Sequence, residues 1–129
     1  MNKDYSIWHN LKSYLNNHKP RLNFNEREVW LCSLGINIGF EQDGKGDRYL
    51  RPVVVIKKFN NKLFWAIPLT RTPREGKYYY KFSFDLKTDS IAILSQLRLI
   101  DSKRLKNRIG RIKPIDLLAI KQKLKQLLE

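Results

Sequence analysis

One cysteine and two histidines are all the sulfhydryl and imidazole chemistry that this chain of 129 residues contains. Cys32 alone forms no internal disulfide and excludes a multi-cysteine metal site. It falls inside the apolar stretch Val29–Leu34, which makes it a buried structural thiol rather than a nucleophile. His9 and His18 have no cysteine or carboxylate pattern around them, so neither a metal site nor a cofactor is expected. The Ser-His and Cys-His pairs of nucleophilic catalysis lack their parts. No apolar run approaches the roughly 20 residues of a membrane span. Met1-Asn2-Lys3-Asp4 also lacks the charged-then-apolar order of a signal peptide. The expectation is a soluble, cytoplasmic protein without membrane contact.

Acid is scarce as well. Twelve Asp and Glu face 26 Lys and Arg, a formal net charge of +14. An excess of this size concentrates polyanions at the surface of a small domain, and nucleic acid is the commonest of these. A solvated basic surface, or an acidic protein partner, accounts for the same charge.

What is present is enough for one folded domain. With 42% hydrophobic residues, a chain of this length buries about two-thirds of its unfolded surface. Asp4 is placed to cap a helix with the apolar stripe Ile7, Trp8, Leu11, Tyr14 and Leu15. Residues 1–25 therefore read as a helical appendage with a polar connector, packing on the main domain or on a partner. Residues 26–129 form that main domain. Val29–Leu34 reads as a first strand. Val53–Ile56 and Leu63–Leu69 read as a hairpin turning at Asn60-Asn61. Lys77–Phe84 alternates Tyr78, Tyr80, Phe82 and Phe84 with Lys77, Tyr79, Lys81 and Ser83. The first set is assigned to the core, and Tyr79 with Lys77 and Lys81 to nucleic-acid contact. Ser90–Ile100 reads as one strand, Asp101 as the cap of a short helical turn, and Ile109–Ile112 as a last strand. Pro114 opens a closing helix, with Asp116 in its first turn and an apolar stripe of Ile115, Leu118, Leu124, Leu127 and Leu128. The fold class is α+β, mainly β: a small antiparallel barrel with a C-terminal helix and an N-terminal helical extension.

The hairpin carries the candidate site. Its antiparallel pairing brings Arg51, at the start of one strand, to the end where Thr70 finishes the other. A guanidinium beside a hydroxyl, under the glycine-rich charged loop that includes Arg48, suits a phosphate. A strand-edge ion pair for Arg51 and a strand-end cap for Thr70 are the structural alternatives.

An ordered set of motifs then resembles the MazF/PemK family of type II toxin–antitoxin endoribonucleases. These are Arg27-Glu28-Val29-Trp30-Leu31 through Leu34-Gly35, Gly39-Phe40-Glu41-Gln42 with Gly44, and Arg51-Pro52-Val53-Val54-Val55-Ile56. Ile67-Pro68-Leu69-Thr70, Ala92 to Asp101, Ser102 to Leu105 and Ile109-Gly110 complete the series. The resemblance implies an SH3-like barrel of the CcdB/MazF type, a homodimer, a single-stranded RNA substrate, and an acidic antitoxin as protein partner. It implies metal-independent cleavage in which the ribose 2′-hydroxyl attacks the adjacent phosphorus, with Arg51 and Thr70 as catalytic residues. Gln42 and Gln96 are then base-reading amides, Glu41 is the nearest carboxylate for a general base, and Arg71 is a further phosphate ligand. Phe40, Ser95 and Arg71 depart from residues common in relatives, the first two at positions where some carry an acid or base. Loss of catalysis with RNA binding retained, or a protein target such as DNA gyrase, are the alternative functions.

Overall fold

The computed structural model describes residues 21–34, 50–85 and 88–129. The expected N-terminal helix and the candidates Glu41, Gln42 and Arg48 lie outside the described residues.

Among the described residues, seven strands make one antiparallel sheet. They are β1 (Glu28–Ser33), β2 (Leu50–Lys58), β3 (Leu63–Thr70), β4 (Tyr79–Phe82), β5 (Ser90–Ile93), β6 (Arg98–Asp101) and β7 (Leu105–Arg111), followed by the helix α1 (Pro114–Leu127). The strand order is β4-β5-β3-β2-β1-β7, and β6 also pairs with β3. Central β2 is covered on both faces, which is why Val53, Val54, Val55 and Ile56 form an unbroken apolar run instead of an alternating one. One face packs Val54, Ile56, Ile67, Leu69 and Ala92 beneath Leu117 and Ile120 of α1. The other packs Val53, Val55, Phe64 and Ala66 with Phe24, Trp30, Cys32 and Leu105. The hairpin turn is fixed by the Asn60 Oδ1, which accepts from the Lys62 and Leu63 amides at 2.7 and 2.9 Å.

Mainly-β content, the terminal helix with Pro114 at its first turn, and Asp101 capping the helical turn Ser102–Arg104 agree with the sequence. Four expectations are corrected. The sheet is not closed into a barrel: β4 and β7 end the strand order without pairing to each other. Ser90–Ile100 is not one strand. The 3₁₀ turn Leu94–Gln96 breaks it, so that β5 pairs with Leu69 and Thr70 while β6 pairs with Leu63–Ala66. Buried Leu94 anchors the break, its amide donating to the Tyr78 carbonyl at 2.8 Å. Of the strand Lys77–Phe84 only Tyr79–Phe82 is paired, and Tyr78 is exposed, with the Lys77 ammonium 5.3 Å from its ring. Finally, α1 buries Leu117 and Ile120 and rests Leu124 and Leu127 on the core, leaving Ile115 70% and Leu118 58% exposed. Both stripes satisfy helical spacing, and the Tyr80 hydroxyl bonded to Asp116 at 2.6 Å fixes which one faces the sheet.

Candidate active site

The register of the β2–β3 hairpin builds the site. Val53 stands opposite Pro68, and Arg51 and Thr70 each lie two residues further toward the same end. On the outer sides, Arg51 is paired with Cys32 of β1 and Thr70 with Ile91 of β5. The two candidates thus sit in one row across four strands. They open into a cleft of about 390 Å³ together with Arg71, walled by Leu69, Phe84 and Ile109.

Arg51 is exposed and Thr70 half-buried. The Thr70 Oγ1 accepts from the Thr72 amide at 3.1 Å, which occupies an acceptor position and leaves its own proton to donate elsewhere. The expected strand-end cap and a hydrogen-bond donor therefore coexist in one hydroxyl. Arg71 donates from Nη1 to the Thr88 hydroxyl and from Nη2 to the Asp85 carboxylate at 3.4 Å. The other oxygen of Asp85 accepts from the Thr88 amide at 3.1 Å, so Arg71 is braced and only partly neutralised. The Arg71 side chain is 59% exposed and available to an anion. Two guanidiniums, the half-buried Thr70 and the buried Ser90 line one opening, and among its described lining residues there is neither carboxylate nor imidazole.

The remaining candidates are placed apart. Lys77 lines a second cleft of about 510 Å³ between the entry to β4 and the end of α1, with Ser95, Lys123 and Leu124 among its walls. Tyr79 is half-buried on β4 opposite Ile93. Gln96 is exposed in the 3₁₀ turn and lines neither cleft. The sequence reading missed Thr88, which braces Arg71, and the walls Phe84 and Ile109. Phe84 was assigned wholly to the core, and only the pairing of distant strands brings Ile109 to Arg51.

Two buried groups are structural. Burial pushes the Cys32 thiol up to about 11, which agrees with an inert side chain. Glu28, whose side chain is 2% exposed, joins Trp30 of the core to Arg108 of β7. Among the described residues, no group of three or more His, Cys, Asp or Glu side chains is placed to hold a metal ion.

Residues 25–128 match the family described as PemK-like, MazF-like toxin of type II toxin–antitoxin system. Among solved structures, MazF from Deinococcus radiodurans superposes with a TM-score of 0.65 at 18% identity, covering 83% of this chain and 97% of that one. An endoribonuclease in complex with its cognate antitoxin, from a mycobacterial species, gives 0.62 at 14% identity over 82% and 95%. The Mycobacterium tuberculosis toxin MazF-mt6 gives 0.61 at 15% over 79% and 96%. At these identities the likeness concerns the fold. Among curated proteins, none matches the chain.

Proposed function

The chain belongs to the PemK-like, MazF-like toxins of type II toxin–antitoxin systems, and from that premise we propose that it is an endoribonuclease cutting single-stranded RNA at the Arg51–Thr70 cleft. The observation that carries the reading is the convergence of Arg51, Thr70 and Arg71 on one opening in a chain of net charge +14. The ribose 2′-hydroxyl attacks the adjacent phosphorus, the bond to the 5′-oxygen breaks, and the ends left are a 2′,3′-cyclic phosphate and a 5′-hydroxyl. Negative charge grows on the phosphoryl oxygens during this step, and fixed cationic donors stabilise it there. Arg51 holds two of those oxygens through its planar fork, and Thr70 donates to one and fixes its position. Because guanidinium charge does this work, the proposed reaction needs no metal. Arg71, braced by Asp85 and Thr88, holds a neighbouring phosphate.

The same reading gives the partners: a homodimer in the cytoplasm, neutralised by an acidic antitoxin. Two of the superposed MazF crystals from Deinococcus radiodurans are MazE–MazF complexes. An acidic extended segment that covers a cationic cleft and folds as it binds would shut this one.

Phe40 and Ser95, at positions where some relatives carry an acid or base, favour one second reading, RNA binding without cleavage. A single experiment separates the two. Long single-stranded RNA is incubated in EDTA with wild-type protein and with Arg51→Ala, and every new end is mapped. Discrete cuts bearing cyclic phosphate and 5′-hydroxyl, lost in the variant, support the endoribonuclease. Intact RNA that is nonetheless retained in a salt-sensitive complex supports the binder.

A further inference from the structure

The apolar face beneath α1 continues past the end of the helix. On β3 the residues on that face are Ile67 and Leu69, which are buried, and then Trp65, which is 42% exposed. Leu99 of β6 stands directly opposite Trp65 and is 56% exposed. Phe59, from the hairpin turn, meets Trp65 edge to face with ring centroids 4.9 Å apart, and is exposed as well. A tryptophan, a phenylalanine and a leucine thus form one contiguous bare patch in a chain that is otherwise rich in charge.

The chain enters the described structure beside this patch. Arg21 donates from Nη1 to Asp101 Oδ1 at 2.8 Å and to the Ser102 hydroxyl at 2.6 Å. Asp101 follows Leu99 by two positions on β6, so its side chain rises from the same face. Just downstream, Phe24 is buried against Phe64 at 4.8 Å, and the Lys58 ammonium donates to its carbonyl at 2.8 Å. The lead-in from Arg21 is therefore pinned, and with the length of the Arg21 side chain included the residues before it start within roughly 20 Å of Leu99. A connector of Asn16 to Pro20 adds up to roughly 17 Å, so connector and stripe together span that distance.

We infer that the N-terminal segment, through Ile7, Trp8, Leu11 and Leu15, docks on the patch made by Phe59, Trp65 and Leu99 of its own chain. The segment supplies an apolar stripe at helical spacing. The patch is the part of the sheet face that α1 leaves bare, and the point of entry at Arg21 puts stripe and patch within reach. The docked segment extends the helical layer over β6 and does not touch the Arg51–Thr70 cleft, which opens at the other end of β3.

The test uses the full chain with Lys12→Cys, a position off the stripe, carrying a nitroxide label. Buried Cys32 does not compete for it. In an isotope-labelled sample, the amide signals of Phe59, Trp65 and Leu99 are expected to vanish while those of Thr70 and Ile109 persist. Unaffected signals at the three patch residues overturn the inference. So does broadening seen only when nitroxide and isotope lie on different chains of a mixed sample, which assigns the patch to a second copy. In parallel, Leu99→Ser is expected to speed tryptic cutting after Lys12 by ~tenfold with an unchanged circular dichroism spectrum. An unchanged cutting rate also overturns it.

Discussion

The ring of Phe84 fills the space that a β-carbon on Gly110 would need. Phe84 follows β4 and Gly110 lies in β7, the two strands at opposite ends of the sheet order. Among the described residues the two ends of the sheet meet at this aromatic side chain, and β4 and β7 share no ladder there. Gly110→Ala is therefore expected to cost about 1–3 kcal/mol through overpacking. Because Phe84 also walls the cleft, the same change should lower RNA cleavage. Thermal melts of Gly110→Ala, Phe84→Leu and the double variant check this. The smaller ring-free side chain should recover much of the loss, and strictly additive costs would show that the ring simply moves aside.

Glu28 answers to acid. Its Oε1 accepts from the Trp30 indole at 3.0 Å and the Asn25 amide at 2.8 Å, and its Oε2 from Arg108 at 3.1 Å. Burial, the largest influence, pushes the carboxyl up. Together the bonds from Trp30, Asn25 and Arg108 and the charge of Arg108 outweigh it and leave the group below the usual carboxylate value. A lowered folded value means that this stability is complete above about pH 4.3 and disappears as pH falls through the folded pKa. Glu28→Gln should cost about 2 kcal/mol at neutral pH and flatten the acid limb of the stability curve. Urea unfolding from neutral to acid pH measures both, and an unaltered acid limb would assign the pH dependence to other carboxylates.

At the cleft, chemistry and stability should separate. Arg51 is exposed, so Arg51→Ala is expected to leave the melting temperature nearly unchanged while lowering cleavage by about 10²–10³. Arg51→Lys should restore little, because an ammonium cannot hold two phosphoryl oxygens in a plane. Thr70→Ser keeps both the bond from the Thr72 amide and the outward donor, whereas Thr70→Val loses both. Valine at this position should therefore cost about 1 kcal/mol of stability as well as activity. Equal cleavage by the serine and valine variants would remove Thr70 from the chemistry.

These three sites differ in how far the amino-acid sequence foretells them. The Arg51–Thr70 row was legible because one hairpin makes it: apolar β-branched runs and an Asn-Asn turn set the register, and the register sets the neighbours. Ile109 and Phe84 were not, since they reach the cleft only through strand pairings that no local pattern announces. The break at Leu94 was hidden for a similar reason. Ser90–Ile100 is apolar enough for one strand, and only the competition of β5 and β6 for one side of β3 splits it. Glu28 carries no local signal of burial, since its partners are the Trp30 indole and Arg108, which only the pairing of β1 with β7 supplies. The helix start is legible and so are Leu124 and Leu127 of its core face, but Leu117 and Ile120 take the places expected of Ile115 and Leu118, because two stripes fit the spacing and the bond from Tyr80 to Asp116 holds the first turn.

That bond should be visible at the alkaline end. The Tyr80 hydroxyl donates to Asp116 Oδ1 at 2.6 Å and ties β4 to the first turn of α1. Burial first, and then the hydrogen bond to the Asp116 carboxylate and its charge, push the phenol up to about 12. Ionised Tyr80 would lose its donor and face a carboxylate at hydrogen-bond distance, so the fold favours the neutral form. Stability from this pair is complete below the ordinary tyrosine value of about 10 and is lost as pH rises through the folded value. Tyr80→Phe keeps the ring against the core and removes only the hydroxyl. It should cost about 1–2 kcal/mol at neutral pH, and the gap between variant and wild type should narrow as the wild-type phenol ionises. Denaturant unfolding of the pair from neutral pH upward, followed beside tyrosinate absorbance, supplies the measurement. A gap that stays constant across the alkaline range would mean that Tyr80 ionises without weakening the join between β4 and α1.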